Sequence, residues 1–83
     1  MRRAGQRVFM LGATGTIGQA TAAALLRRGH ELVCFVRRRA GVGGRMHERE
    51  TEHLLAGARV RFGDVCDPRS LHRDGFCGEH FDA

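Results

Sequence analysis

Four consecutive apolar residues, Val8 to Leu11, are followed at once by a glycine, then by a second and a third at intervals of three. An unbroken apolar run of this length has the signature of a parallel strand covered on both faces, here expected over Arg7 to Leu11. The run Thr16–Arg28 then changes to an alanine- and leucine-rich helical period. It puts Ile17, Ala20, Ala24 and Leu25 on one face and meets Gly29, which suits a helix C-terminus. Glu31 to Arg37, "ELVCFVR", is a second continuous apolar run. The strand–helix–strand unit so formed has the length of a βαβ crossover, about 30 residues.

Beyond it, Arg38 to Arg45 carries three glycines and no period, so a loop is expected. "MHERETEHLLAG" predicts a short helix closing at Gly57. "ARVRFGDV" alternates around Val60 and Phe62 as a third strand. Asp67 is placed to cap a further helix that has Pro68 in its first turn, and "HFDA" at His80 to Ala83 reads as the opening of a fourth strand. The fold class expected is α/β, a Rossmann-like doubly wound parallel sheet. Residues 1–83 supply only the N-terminal portion of one NAD(P)-binding domain, about three strands with their crossover helices, and the substrate-binding part is expected to lie elsewhere.

A chain of this length buries only about 60–65% of its unfolded surface, which leaves a small core and no room for a large active-site cleft. Fourteen basic against nine acidic residues give a net charge of +5, and all fourteen are arginine, since lysine is absent. The guanidinium fork suits phosphate or carboxylate, so an anionic small molecule fits the balance. The arginines are not interleaved with aromatics and no nucleic-acid motif occurs, so no nucleic-acid partner is expected. Cys34, Cys66 and Cys77 are odd in number and widely spaced, which fits a reduced cytoplasmic setting, with Cys34 a small core residue. The apolar stretch before Gly12 is too short for a signal sequence or a membrane span, and no integral membrane segment is expected. "HERETEH" approaches a zinc signature, but Thr51 stands four residues beyond His47 and His53 falls on another helical face; a solvated helix is expected and no metal site.

The glycines carry the chemistry. Gly12, Gly15 and Gly18 form G-x-x-G-x-x-G between a buried strand and a helix, the context in which this spacing signifies a dinucleotide site. Gly12 makes the tight turn, Gly15 admits a pyrophosphate close to the backbone, and Gly18 lets helix and strand pack. The loop Gly12, Ala13, Thr14, Gly15, Thr16, Ile17, Gly18 would hold the phosphates on free amides at the positive end of the helix. At the end of the second strand an acidic residue would favour NAD; Val36 stands there instead, followed by Arg37, Arg38 and Arg39. That is the pattern for a 2′-phosphate, and NADPH is the cofactor expected, with Arg37 as its partner. Arg38 and Arg39 suit a solvated loop equally well. After the third strand, Asp64 and Val65 lie where adenine is held, and Asp64 suits turn chemistry after Gly63 nearly as well.

With "GATGTIG", "FVRR" and "GDV" in order, the chain resembles the N-terminal half of an extended or atypical short-chain dehydrogenase/reductase. "CFVRRRAGVGG", "VRFGDVCDPRSL" and "DGFCGEHFDA" are similar to stretches of the divinyl chlorophyllide 8-vinyl reductases, although Arg38 stands where those proteins have proline. The resemblance implies NADPH as hydride donor and a divinyl (proto)chlorophyllide as acceptor in chlorophyll or bacteriochlorophyll synthesis. It further implies a bacterial cytoplasmic protein, peripheral to photosynthetic membranes. No catalytic residue can be assigned: the tyrosine and lysine of standard short-chain dehydrogenases occur nowhere in the chain, and the segment alone is expected to be inactive. Two other classes stay open, an NmrA-like redox sensor that binds NADP without turning it over, and another NADP-dependent enzyme of this scaffold such as an epimerase.

Overall fold

The computed structural model describes residues 5–39 and 44–83; the basic residues 1–4 and the centre of the expected glycine-rich loop, 40–43, lie outside them. Three parallel strands, β1 (Arg7–Leu11), β2 (Glu31–Val36) and β3 (Arg59–Phe62), stand in the order β1-β2-β3. Arg7 pairs with Glu31 and Leu11 with Phe35, and on the other side Val33 pairs with Arg59 and Val36 with Phe62. The middle strand is buried throughout from Leu32 to Val36, which is why its sequence is continuously apolar rather than alternating.

Alternation sorts the side chains into two layers. Leu32, Cys34 and Val36 of β2 join Val8, Met10, Val60 and Phe62 on one face, covered by α1 (Thr16–Arg27) through Ala22, Leu25 and Leu26, and by Leu55 at the end of α2 (Glu48–Leu54). Phe9 and Phe35 occupy the opposite face, with Phe76 and Phe81 packed over Phe9 at ring separations of 4.4 and 5.1 Å. That second layer comes from α3 (Pro68–Ser70), capped by the Asp67 carboxylate, which accepts from the Arg69 amide at 3.0 Å. α3 runs directly into a π-helical turn, Leu71–Phe76, that ends at Cys77 in the left-handed conformation. Covering helices on both faces of a parallel sheet make this a Rossmann-like α/β fold.

The expected fourth strand is met in part. Phe9 donates to the Ala83 carbonyl at 2.8 Å and Ala83 donates to that of Arg7 at 3.4 Å, the alternation of a parallel pair on the free side of β1. Two details depart from the sequence expectation. The third strand stops at Phe62, because Asp64 turns the chain. The apolar stripe of α1 is only partly buried: Ile17 is 83% exposed and Ala20 is exposed, while Leu25 joins Ala22 and Leu26 on the core and Gly18 abuts the Gly12–Ala13 loop. Gly18 packs the first turn of the helix so closely to the loop that Ile17 is left on the outside there.

Candidate functional site

The three glycines have three different reasons. Gly12 has φ +72°, a left-handed turn that favours glycine. Gly18 lies so close to the loop that a Cβ would overlap the Gly12 carbonyl oxygen and approach Ala13 Cα to 2.9 Å. Gly15 has neither reason. Its backbone is extended at φ −74°, ψ 166°, and a Cβ would find only the Gly12 oxygen at an ordinary 3.8 Å. Nothing among the described residues requires a glycine at the N-cap of α1, and the space above it is open. Thr14 is anchored from below, its carbonyl accepting from Gln19 Nε2 at 2.9 Å.

Two cavities meet at the carboxyl ends of the strands. The smaller, about 160 Å³, is lined by Gly12, Ala13, Thr14, Val36, Arg37 and Val65. The larger, about 460 Å³, is lined by Arg37, Arg38, Asp64, Ser70, Arg73 and Asp74 among others. The structure therefore brings together Gly12, Ala13, Thr14, Arg37 and Val65 in one cleft, and Arg37, Arg38 and Asp64 in the next. Gly15, Thr16, Ile17 and Gly18 form the start of α1 beside the cleft; the Thr16 and Ile17 side chains lie on the outer face of the helix with Ala20 and Ala24.

The charges around these cavities are unequal in availability. Arg73 holds Asp74 with two bonds of 2.9 Å, and Arg38 reaches Glu48 at 3.2 Å. The bond from Arg73, joined by one from Ser70, brings the Asp74 carboxyl down to about 2. Arg37, among the described residues, makes no hydrogen bond or ion pair, and it borders both cavities. Asp64 uses one carboxylate oxygen to accept from the Cys66 amide at 2.9 Å, an Asx turn that fixes its own loop, so turn chemistry and an open second oxygen coexist at this residue.

Elsewhere the side chains are structural. Cys34 is buried in β2, and burial pushes its thiol up to about 11, which makes it an inert core residue. Among the described residues no group of three His, Cys, Asp or Glu side chains comes together as a metal site, and no helix is long and apolar enough to cross a membrane. Sequence reasoning missed Ser70 and Asp74, which line the larger cavity. The only signal was the spacing Ser70–Asp74, and it becomes a contact because the intervening turn is helical.

Comparison with known proteins places the chain in a family. The model of the NAD dependent epimerase/dehydratase family matches residues 8–80. The chain is similar to the divinyl chlorophyllide a 8-vinyl-reductase, chloroplastic, of Oryza sativa subsp. indica, with 46% identity over 67 residues, 81% of this chain and 16% of the relative. The protein of the same name from Zea mays is 43% identical over 67 residues, 81% of this chain and 17% of its own length. That of Arabidopsis thaliana is 33% identical over 73 residues, 83% and 18% respectively. The chain thus spans about a sixth of the length of these relatives. No solved structure matches it significantly.

Proposed function

The chain belongs to the NAD dependent epimerase/dehydratase family, and from that premise we propose that it is the NADPH-binding part of a reductase. The observation that carries this reading is the position of Arg37: a guanidinium with no partner among the described residues borders the same cleft as the Gly12–Thr14 loop. The family binds NAD or NADP; an unpartnered cation at the end of β2, where an acid would select NAD, supports the 2′-phosphorylated form. The residues present fit that group. Gly15 would leave a pyrophosphate its space at the start of α1, Arg37 would offer the 2′-phosphate a charge-assisted contact, and Val65 and Asp64 would border the adenine. The bound nicotinamide would supply a hydride. The chain's own part is to bind and orient it.

The substrate reading rests on the relatives. They are reductases of divinyl chlorophyllide a by name, and we assign the same acceptor class, a divinyl tetrapyrrole whose 8-vinyl group becomes ethyl, to the longer polypeptide of which these residues form the cofactor platform. The relatives are chloroplastic by name, so they lend no support to the expected bacterial setting. The test has two arms. Calorimetric titration of the 83-residue chain should show NADPH binding more tightly than NADH, and equal affinities would overturn the cofactor assignment. A longer chain containing this region, given NADPH and 3,8-divinyl chlorophyllide, should produce the blue shift of a macrocycle that has lost a conjugated vinyl group. Bound NADPH without a shift would favour the sensor class, which uses the same glycine loop and arginine.

A further inference from the structure

The loop that carries Asp64 and Val65 is tied down by a side chain with no part in the dinucleotide pattern. Ser70 is only 4% exposed, and its hydroxyl both accepts and donates a hydrogen bond. Oγ accepts from the Asp64 amide at 2.9 Å and donates to Asp74 Oδ2 at 2.9 Å. Asp74 is itself held by the guanidinium of Arg73 through both oxygens. A chain of hydrogen bonds therefore runs from a surface arginine through a carboxylate and a buried hydroxyl to one backbone amide. That amide belongs to the residue that lines the larger cavity, next to the one that lines the smaller.

The packing around the hydroxyl leaves it little freedom. At Gly63 a Cβ would stand 2.6 Å from Ser70 Oγ and 2.6 Å from the Phe35 ring, so the backbone before Asp64 is pressed between the serine and the core. The Gly63 amide in turn donates to the Val36 carbonyl at 3.1 Å, which sets the level of this loop against the end of β2, where Arg37 begins. On its far side the loop closes through the Asx turn to Cys66 and the bond from the Asp67 amide to the Asp64 carbonyl at 3.2 Å. Without Ser70 the loop would keep that internal turn and the Gly63 bond to β2 but lose the anchor at the Asp64 amide.

We propose that Ser70 is a positioning residue for the adenosine end of the bound dinucleotide: its hydroxyl, oriented by Asp74, fixes the Asp64–Val65 backbone at the height where the adenine and its ribose meet the sheet. This rests on the dinucleotide reading above. A positioning role differs from a general structural one in its range, because the glycine loop is built on β1 and α1 and shares no hydrogen bond with Ser70.

The experiment compares two probes on the 83-residue chain, ADP for the adenosine end and inorganic pyrophosphate for the glycine loop, each by calorimetric titration. Ser70→Ala, verified as folded by circular dichroism, should weaken ADP about tenfold, the effect of one lost hydrogen bond, and change pyrophosphate less than about twofold. Equal losses for both probes, or an unchanged ADP affinity, would overturn the positioning role and leave the cofactor reading standing. A wild-type chain that binds neither ADP nor NADPH would overturn both. Should Ser70→Ala not fold, amide exchange in the wild type decides: the Asp64 amide should be protected and should slow further with ADP, and exchange at the rate of an open chain, or no response to ADP, would overturn the proposal.

Discussion

The two ends of the sheet use the same residue type in opposite ways. At the amino ends of the strands, Arg7 is bonded to both Glu31 and Glu79, donates to the His80 carbonyl at 3.1 Å and stacks 4.8 Å above the ring of Phe81. Arg61, further along β3, reaches Glu79 at 2.7 Å and the Gly75 carbonyl at 2.7 Å. Burial works against the Arg7 charge, but its bonds to Glu31 and Glu79 outweigh that and raise its affinity for the proton. Arg61 is the chief cause holding the Glu79 carboxyl below its ordinary range. At the carboxyl ends, Arg73 is held by Asp74 and Arg38 reaches Glu48, while Arg37 stands at the cavities with no such partner among the described residues. Arg7 and Arg61 staple the chain, whereas the Arg37 charge, beside the cavities and without a partner among the described residues, is available to a ligand.

The glycines allow the sharpest attack on that contrast. Gly18→Val places branched carbon inside the Gly12 carbonyl and should cost about 3 kcal/mol or more, enough to unfold a domain this small, as thermal denaturation would register. Gly15→Val meets no such obstacle, so the fold should survive within about 1 kcal/mol, while NADPH and NADH both lose affinity, because the side chain enters the pyrophosphate's space. If Gly15→Val destabilises the protein as Gly18→Val does, the two glycines are not functionally distinct.

Arg37→Glu tests the free cation directly. NADPH affinity should fall about ten- to a hundredfold, the range of a charge-assisted contact, with NADH little changed and the melting temperature held. A drop in melting temperature with no change in cofactor preference would put Arg37 among the staples.

The opposite end should show the reverse signature. Glu79→Gln should lower stability and leave the NADPH-to-NADH ratio unchanged. The pH dependence has a definite sign. Glu79 and Asp74 bind protons more weakly folded than unfolded, so acid favours the unfolded chain. Their stabilisation is complete above the ordinary carboxylate range and is lost as pH falls, for Asp74 from about 4 down to about 2. Chemical denaturation at descending pH should show a steep loss in the wild type and a shallower one in Glu79→Gln. Identical slopes would remove Glu79 from the network.

Much of this was legible in the chain, for reasons that differ by element. β2 announces itself because both of its faces are buried, and the glycine loop because backbone geometry at Gly12 and close packing at Gly18 admit little else there. The apolar face of α1 was legible only in part: Leu25 packs on the core, but Ile17 lies outside because contact with the loop is decided by the smallest residue, Gly18. The staples at the amino ends were not legible, because Arg7 and Glu79 are 72 residues apart in sequence and meet only through the sheet order. Ser70 was hidden likewise, a short polar residue whose meaning lies in the amide it meets. That Arg38 is engaged while Arg37 has no partner among the described residues could not be read from three adjacent arginines, since the difference is set by Glu48 at the start of α2.

That difference yields the smallest of the expected effects. Arg38 and Glu48 are 69% and 44% exposed, so their ion pair at 3.2 Å contributes at most about 1 kcal/mol and is screened by salt. A 2′-phosphate arriving at Arg37 would compete with Glu48 for Arg38, and the affinity it gains is reduced by the cost of parting that pair. Glu48→Gln removes the competitor and keeps the side-chain shape, so NADPH affinity should rise about two- to threefold at low salt, with NADH unmoved and the gain fading as ionic strength increases. Arg38→Ala should lower NADPH affinity by less than Arg37→Glu does. If Glu48→Gln changes nothing while Arg38→Ala costs as much as the loss of Arg37, Glu48 does not restrain Arg38, and the two arginines act as one site.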